Sequence, residues 1–165
     1  MAVFHEVFTI ESGQRVSFDD VTERVIKIVE SSGIKEGIVN VYSQHTSCSV
    51  FLQEDSEDVT YWNVPLILQD MVNVLEKIIP NCNNEGQYLH PGPIHVKNAM
   101  ELRDERSEWL LNTDGHLRSV LLGRSETIPL VDGEMVLGEF GRIYFTDMDQ
   151  TRARTRNVRV QIVGE

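Results

Sequence analysis

Cysteine is nearly missing from this chain. Cys48 and Cys82 are the only two in 165 residues, and their separation is far from a Cys-x-x-Cys pair, which excludes a disulfide framework and a zinc ribbon. Long apolar runs are missing as well. No stretch approaches the ~20 residues needed to cross a bilayer. Met1 to Ile10 mixes acidic and aromatic residues with apolar ones, unlike a signal peptide. Basic residues are scarce, 15 Lys and Arg against 26 Asp and Glu, for a formal net charge of −11. So acidic a chain is not built for nonspecific binding to nucleic acid or to an anionic membrane. The expectation is a soluble cytoplasmic protein with neither as a partner.

What is present describes an ordinary globular chain. Apolar residues make up 41% and charged residues 25%, and without repeats or a linker the length suits one domain over residues 1–165. Val3 to Ile10 reads as a strand closed by Ser12-Gly13. Ser17 offers an N-cap with Asp20 as a capping-box partner. Val21, Val25, Ile28 and Val29 follow at helical spacing up to Gly33. Ile38 to Tyr42 and Cys48 to Gln53 read as strands. Ser56 looks like the cap of a second helix broken at Pro65, with an apolar stripe of Ile67, Met71, Val74, Leu75 and Ile78. Asn81 to Pro93 is loop, and a short helix covers Met100 to Leu111 with Trp109 and Leu110 inward. Asp114 caps a helix from Gly115 to Leu122, stopped by Gly123. Strands at Glu126–Leu130 and Glu134–Leu137 flank an Asp132-Gly133 hairpin turn, and Arg142–Asp147 and Val158–Val163 complete the set. Unevenly interleaved strands and helices imply an α+β fold rather than a wound βαβ one.

Chemistry-bearing residues gather in two places. His45 lies between Gln44 and Thr46-Ser47 at a strand end, where a scaffold presents reactive groups; the competing reading is a histidine that caps a turn. His116 sits in a first helical turn with Arg118, Ser119 and Arg124 nearby, a pattern suited to a phosphate or carboxylate, against a plain solvated helix start. Glu54 and Asp55 follow the strand after His45. With His45 and His116, Glu54 makes a nitrogen-and-oxygen set for a divalent metal, zinc or magnesium; the alternative is a run of acids at a helix start. His90 and His95 bracket Pro91-Gly92-Pro93, either as a flap that completes a metal site or as exposed side chains. Cys48 reads as a small core side chain. Arg152, Arg154 and Arg156 alternate before Arg159, a stripe for a polyphosphate or for a neighbouring subunit's acids, unless Asp147 and Asp149 neutralise it.

At these residues the chain resembles the YjbQ family, described as secondary thiamine-phosphate synthase-like. Gln44-His45-Thr46-Ser47 matches the family's Gln-His-Thr-Ser/Thr motif, and Glu54 falls on the glutamate of its acidic segment. His116-Leu117-Arg118-Ser119 through Leu122-Gly123 is similar to its His-Ile-Lys-x-x-x-Leu-Gly, with arginine for lysine. The hairpin, Asp147 and the Arg-rich strand ending in Gly-Glu line up too. Two features depart. Gly138-Glu139-Phe140-Gly141 stands where the family carries Gly-Thr-Trp-Gln, and there is extra length between Glu54 and Pro80 and in an insert at about 81–112 that holds His90 and His95.

The resemblance implies two packed mixed or antiparallel sheets with flanking helices, a homotrimer with pockets near subunit interfaces, and a weak or secondary thiamine-phosphate synthase activity. That reaction joins a hydroxymethylpyrimidine diphosphate to a thiazole phosphate and releases diphosphate. It asks for cations around the leaving group. Arg118, Ser119, Arg124, Arg152, Arg154 and Arg156 are the candidates for phosphate, and His45, Glu54 and His116 for a metal and for catalysis. A metal-dependent phosphoester hydrolase and a noncatalytic trimer that binds a metal or an anionic metabolite are the alternatives.

Overall fold

Inward-facing aliphatic residues at every second position set the architecture. In the computed structural model, which describes Met1–Glu165, Val39 and Val41, Ile128 and Leu130, and Val158, Val160 and Ile162 are all buried. That period of two marks a sheet with one covered face. The chain runs β1 (Ala2–Ser12), β2 (Ser17–Asp20), α1 (Thr22–Ser32), β3 (Gly37–Ser43), β4 (Cys48–Glu54), α2 (Leu66–Ile78), α3 (Pro93–Arg103), a 3-10 turn (Ser107–Leu110), α4 (Thr113–Leu122), β5 (Ser125–Val131), β6 (Glu134–Met135), β7 (Gly141–Asp147) and β8 (Arg154–Gly164). The fold is α+β, with two antiparallel sheets ordered β1-β8-β3-β5-β6 and β2-β7-β4.

The main core lies between the two sheets. Cys48, Val50, Ile143 and Phe145 of the smaller sheet meet the valines and isoleucines of the larger one, and Val25, Ile28 and Val29 of α1 close the end. The other face of the smaller sheet carries Phe51 and Tyr144, stacked with centroids 6.0 Å apart and packed against Leu68 of α2. Strands β4 and β7 are therefore covered on both sides, which is why Cys48–Phe51 and Ile143–Asp147 are buried without alternation. Helix α4 lies along β4. Ser119 Oγ donates to the Cys48 carbonyl at 2.6 Å and Ser49 Oγ to the Ser119 carbonyl at 3.3 Å. Gly115 lets the first turn of α4 sit against the segment that follows β7, because a Cβ there would stand 2.9 Å from the Met148 carbonyl oxygen.

Several local expectations need correcting. Ser17 does not cap a helix; it opens β2 opposite Asp147, and α1 begins at Thr22, whose N–H bonds to Asp20 Oδ1 at 2.9 Å. Ser56 does not start a helix either. Pro65 precedes α2, and its carbonyl receives the Leu68 and Gln69 N–H groups, so the proline starts a helix instead of breaking one. Within the apolar stripe of α2, Val74 and Ile78 face solvent. The helix expected over Met100–Leu111 is shifted: α3 begins at Pro93 and stops where Asp104 turns to φ 52°. Asn112 takes the N-cap position expected of Asp114. The Asp132-Gly133 turn has φ of 52° and 84° and joins Val131 to Glu134 in register, as a type I′ hairpin requires. Gly33 ends α1 with φ 68°.

The burial of α2 can be tested directly. Leu68→Ala should cost about 2–5 kcal/mol and Val74→Ala less than about 0.5 kcal/mol in urea unfolding. Equal losses would contradict the face assigned to this helix.

Candidate functional site

Strand β7 ends in Asp147, which has no exposed surface, and a buried carboxylate needs partners. It has five. Arg156 Nε donates at 2.6 Å and Arg156 Nη2 at 3.2 Å, Ser12 Oγ at 2.7 Å, Ser47 Oγ at 3.2 Å and the Asp149 N–H at 3.0 Å. Burial pushes this carboxyl up, but the hydrogen bonds and charge of Arg156 more than reverse that and hold it below the usual range. Asp149 is buried next door and receives Asn112 Nδ2 at 3.0 Å, Arg154 Nη2 at 2.9 Å, and the Thr151 N–H and hydroxyl. The two aspartates thus neutralise Arg154 and Arg156 of the arginine stripe, as one sequence reading allowed in part, while Arg152 pairs with Glu105.

His45 borders this hub. Strand β3 ends at Ser43 opposite Val158, so the next outward N–H on β8, that of Asn157, has no strand partner there. His45 Nε2 accepts it at 2.9 Å. The neutral ring then carries its proton on Nδ1. Burial lowers the pKa of His45, and Arg156, Arg154 and Arg159 lower it further against the opposing pull of Asp147. Beside it Arg159 Nε donates to Gln44 Oε1 at 2.8 Å. The Arg124 carbonyl receives the Ser43 N–H at 2.9 Å, which brings that residue to the same end of the sheet. Arg124 enters none of the ion pairs that hold Arg118, Arg152, Arg154 and Arg156.

The other expected phosphate ligands are committed elsewhere. Arg118 is fully buried, donating from Nε and Nη2 to the Ile79 carbonyl and from Nη2 to Asn81 Oδ1, with Asp114 3.6 Å away. It ties the end of α2 to α4. Ser119 is spent on Cys48. Arg152 bridges to Glu105 at 2.9 Å and lies over the Trp109 ring at 4.2 Å; it precedes β8 and shares no strand face with Arg154 and Arg156. Arg118, Ser119 and Arg152 are therefore structural in this chain.

The metal set His45–Glu54–His116 is not assembled. Strand β4 runs seven residues from Cys48 to Glu54, so its ends lie about 20 Å apart. Glu54, exposed and opposite Gly141, stands at the end remote from His45. The Gly138-Glu139-Phe140-Gly141 segment lies at that remote end too, with the Phe140 carbonyl bonded to the Asp55 N–H. His45 has also already used Nε2. These residues do not fit one divalent ion.

His116 instead belongs with His90, whose ring centroid lies 5.8 Å away, and through it with His95 at 4.9 Å from His90. His90 Nδ1 meets Thr113 Oγ1 at 2.9 Å, and that hydroxyl donates to the His90 carbonyl at 2.7 Å. The charges felt by His90 are those of His95 and His116, with none shared with His45. The structure thus separates two groups that the sequence pooled. Thr113, Asn112 and Ser12 escaped sequence reasoning, with only the strand-end position of Ser12 hinting at a role; Ser47 stood in the Gln44–Ser47 motif, but as a neighbour of His45 and not as a partner of Asp147.

The family model described as UPF0047 protein YjbQ-like matches residues 6–165. A UPF0047 protein of Methanothermobacter thermautotrophicus is 35% identical over 99% of this chain and 96% of the relative. One from Methanocaldococcus jannaschii is 27% identical over 96% and 93%. Among solved structures, a hypothetical protein from Aeropyrum pernix K1 superposes with a TM-score of 0.74 at 26% identity, covering 98% of this chain and 99% of that one. A YjbQ-like protein of unknown function from Sulfolobus solfataricus has the same TM-score at 21% identity, over 99% of both, and shares the fold.

Two outcomes follow from this geometry. Asp147→Asn should destabilise by about 3–5 kcal/mol by leaving Arg156 buried without its partner, and Asp147→Leu with Arg156→Met should recover much of that; urea unfolding of both variants measures it, and additive losses would contradict the pairing. The lowered His45 pKa makes its contribution full above the unfolded value of about 6.5 and lost as pH falls below it. Wild type should therefore lose more stability between about pH 7 and 5 than His45→Gln, and parallel profiles would count against the lowered His45 pKa.

Proposed function

The chain belongs to the YjbQ-like UPF0047 family, and from that premise we propose that it binds a small phosphorylated metabolite at the His45 end of the sheet. The reaction class we propose is the thiamine-phosphate-synthase type, at weak or secondary rate, in the cytoplasm. One observation carries the reading: Arg159, Gln44 and the Nδ1–H of His45 gather around a single strand end, where the Arg124 backbone also lies, in a protein whose net charge is −11. A local cluster of donors on an acidic body selects compact anions over anionic polymers.

In that reaction a C–N bond forms to the pyrimidine methylene as its C–O bond to diphosphate breaks. The electron pair leaves on the phosphate oxygens. Arg159 and Arg124 supply charge to the departing group, and His45 donates from Nδ1 while Asn157 fixes its ring. The chain forms a homotrimer in this proposal. Support comes from α4, whose Leu117, Val120 and Leu121 face outward with no cover, and from exposed Val3, Val7, Ile38 and Val131 on the larger sheet, a patterning typical of surfaces that meet another chain. No helix is long and apolar enough to cross a membrane.

A noncatalytic trimer that holds an anionic metabolite is the second reading. The neutralisation of Arg154 and Arg156 by Asp149 and Asp147 favours it, because little unpaired charge remains to stabilise a leaving diphosphate.

Titration calorimetry with diphosphate, and an assay for thiamine phosphate from the two precursors with magnesium, separate these readings. Diphosphate should bind wild type, and Arg124→Ala/Arg159→Ala should weaken it at least tenfold, about 1.4 kcal/mol. Product formed by wild type and lost in His45→Ala supports the synthase; binding without product supports the second reading; no binding removes both.

A further inference from the structure

Three histidines from different segments meet at the start of α4. His90 comes from the loop after α2, His95 from the first turn of α3 and His116 from the first turn of α4. Their rings stand edge to face, with centroids 4.9 Å apart for His90–His95 and 5.8 Å for His90–His116. A tetrahedral ion with metal–nitrogen bonds of about 2.0–2.1 Å places each ring centroid about 3.2 Å from the metal, and neighbouring centroids about 5 Å apart. The observed spacings bracket that value.

The hydrogen bonds at Thr113 assign the His90 proton. A hydroxyl has one hydrogen, and a carbonyl oxygen accepts only. Thr113 Oγ1 stands 2.7 Å from the His90 carbonyl, so its hydrogen goes there. The 2.9 Å contact between the same oxygen and His90 Nδ1 then requires Nδ1–H as donor. His90 Nε2 is left with a free lone pair, on a ring whose other nitrogen is anchored. That is the arrangement of a metal-binding histidine with its supporting hydrogen bond.

His116 supplies an independent observation. Its Nδ1 is buried and has no hydrogen-bond partner, a situation that costs free energy unless something fills it. His95 is exposed on α3 and free to turn. No three histidine, cysteine or carboxylate donors share one point in the observed rotamers, so closure requires the His95 ring to rotate toward its neighbours.

We propose that His90, His95 and His116 form a binding site for one zinc-type divalent cation, with Thr113 as the residue that positions His90. Three neutral imidazoles without a carboxylate select zinc, copper or nickel over magnesium or calcium. Three protein ligands leave a fourth position for water or an anion, as in open zinc sites. The site shares no residue with the proposed anion pocket at His45 and stands or falls separately from it.

Tag-free protein stripped with a chelator and titrated with zinc against a chromophoric competitor tests the proposal, with no metabolite present. One zinc per chain is expected, with the histidine ring NMR signals of His90, His95 and His116 shifting on addition and magnesium producing no such shift. His95→Ala, on an exposed side chain, should weaken zinc at least tenfold; Thr113→Val should weaken it about 10- to 100-fold; His5→Ala and His45→Ala should leave it unchanged. Absence of stoichiometric zinc in wild type, or zinc binding that survives both His95→Ala and His90→Ala, would overturn the assignment.

Discussion

One carboxylate without access to water holds the two sheets in place. Asp147 ends a strand of the smaller sheet, and its partners come from the larger one: Ser12 at the end of β1 and Arg156 on β8, with Ser47 from the turn that leads into β4. Apolar packing between sheets is indifferent to small slides, because any aliphatic face fits another moderately well. A bidentate arginine pair is not indifferent. It fixes how far β8 sits along β7, and through the Asp149 bonds to Asn112 and Arg154 it sets the start of α4 as well. Such a buried pair contributes little net stability compared with an apolar replacement, so its value here lies in register.

Much of this frame is legible in the sequence because it depends on local rules. The hairpin at Asp132-Gly133, the stop at Gly33 and the alternating valines of β3 and β8 each follow from backbone preference or strand period. The family resemblance carried by the Gln44–Ser47 and His116–Gly123 motifs is confirmed by the match over residues 6–165. What sequence reading lost was distance between elements. Glu54 follows His45 closely in the chain, yet a strand lies between them and carries it to the far end of the sheet. Arg118 and Ser119 have the residue types of a phosphate site, but α4 turns them inward, where they serve the Ile79 and Cys48 carbonyls. Helix starts are hard to place where proline serves as the opener: Pro65, which reads as a breaker, precedes α2, and Pro93, which reads as the end of a loop, begins α3.

The two histidine groups show how the same side chain takes opposite roles according to which nitrogen is occupied. His45 gives its Nε2 to a backbone amide and presents a proton outward. His90 gives its Nδ1 to a hydroxyl and presents a lone pair. The first suits an anion and the second a cation. The backbone decides between them through one unpaired amide on β8 and one threonine at the head of α4.

The place of β8 in the larger sheet has a consequence for how the molecule comes into being. This strand lies between β1 and β3, pairing along eleven residues with the first strand and along seven with the third. During translation it emerges after every one of its neighbours. Until then β1 and β3 face each other across an empty lane, with the facing edges unpaired and the core-side residues, Phe4, Phe8 and Ile10 of β1 and Val39 and Val41 of β3, wet. The larger sheet is therefore completed late, around a nascent chain that must keep two sticky borders from zipping to the wrong neighbour. Contacts that span nearly the entire chain also make folding slow relative to its size.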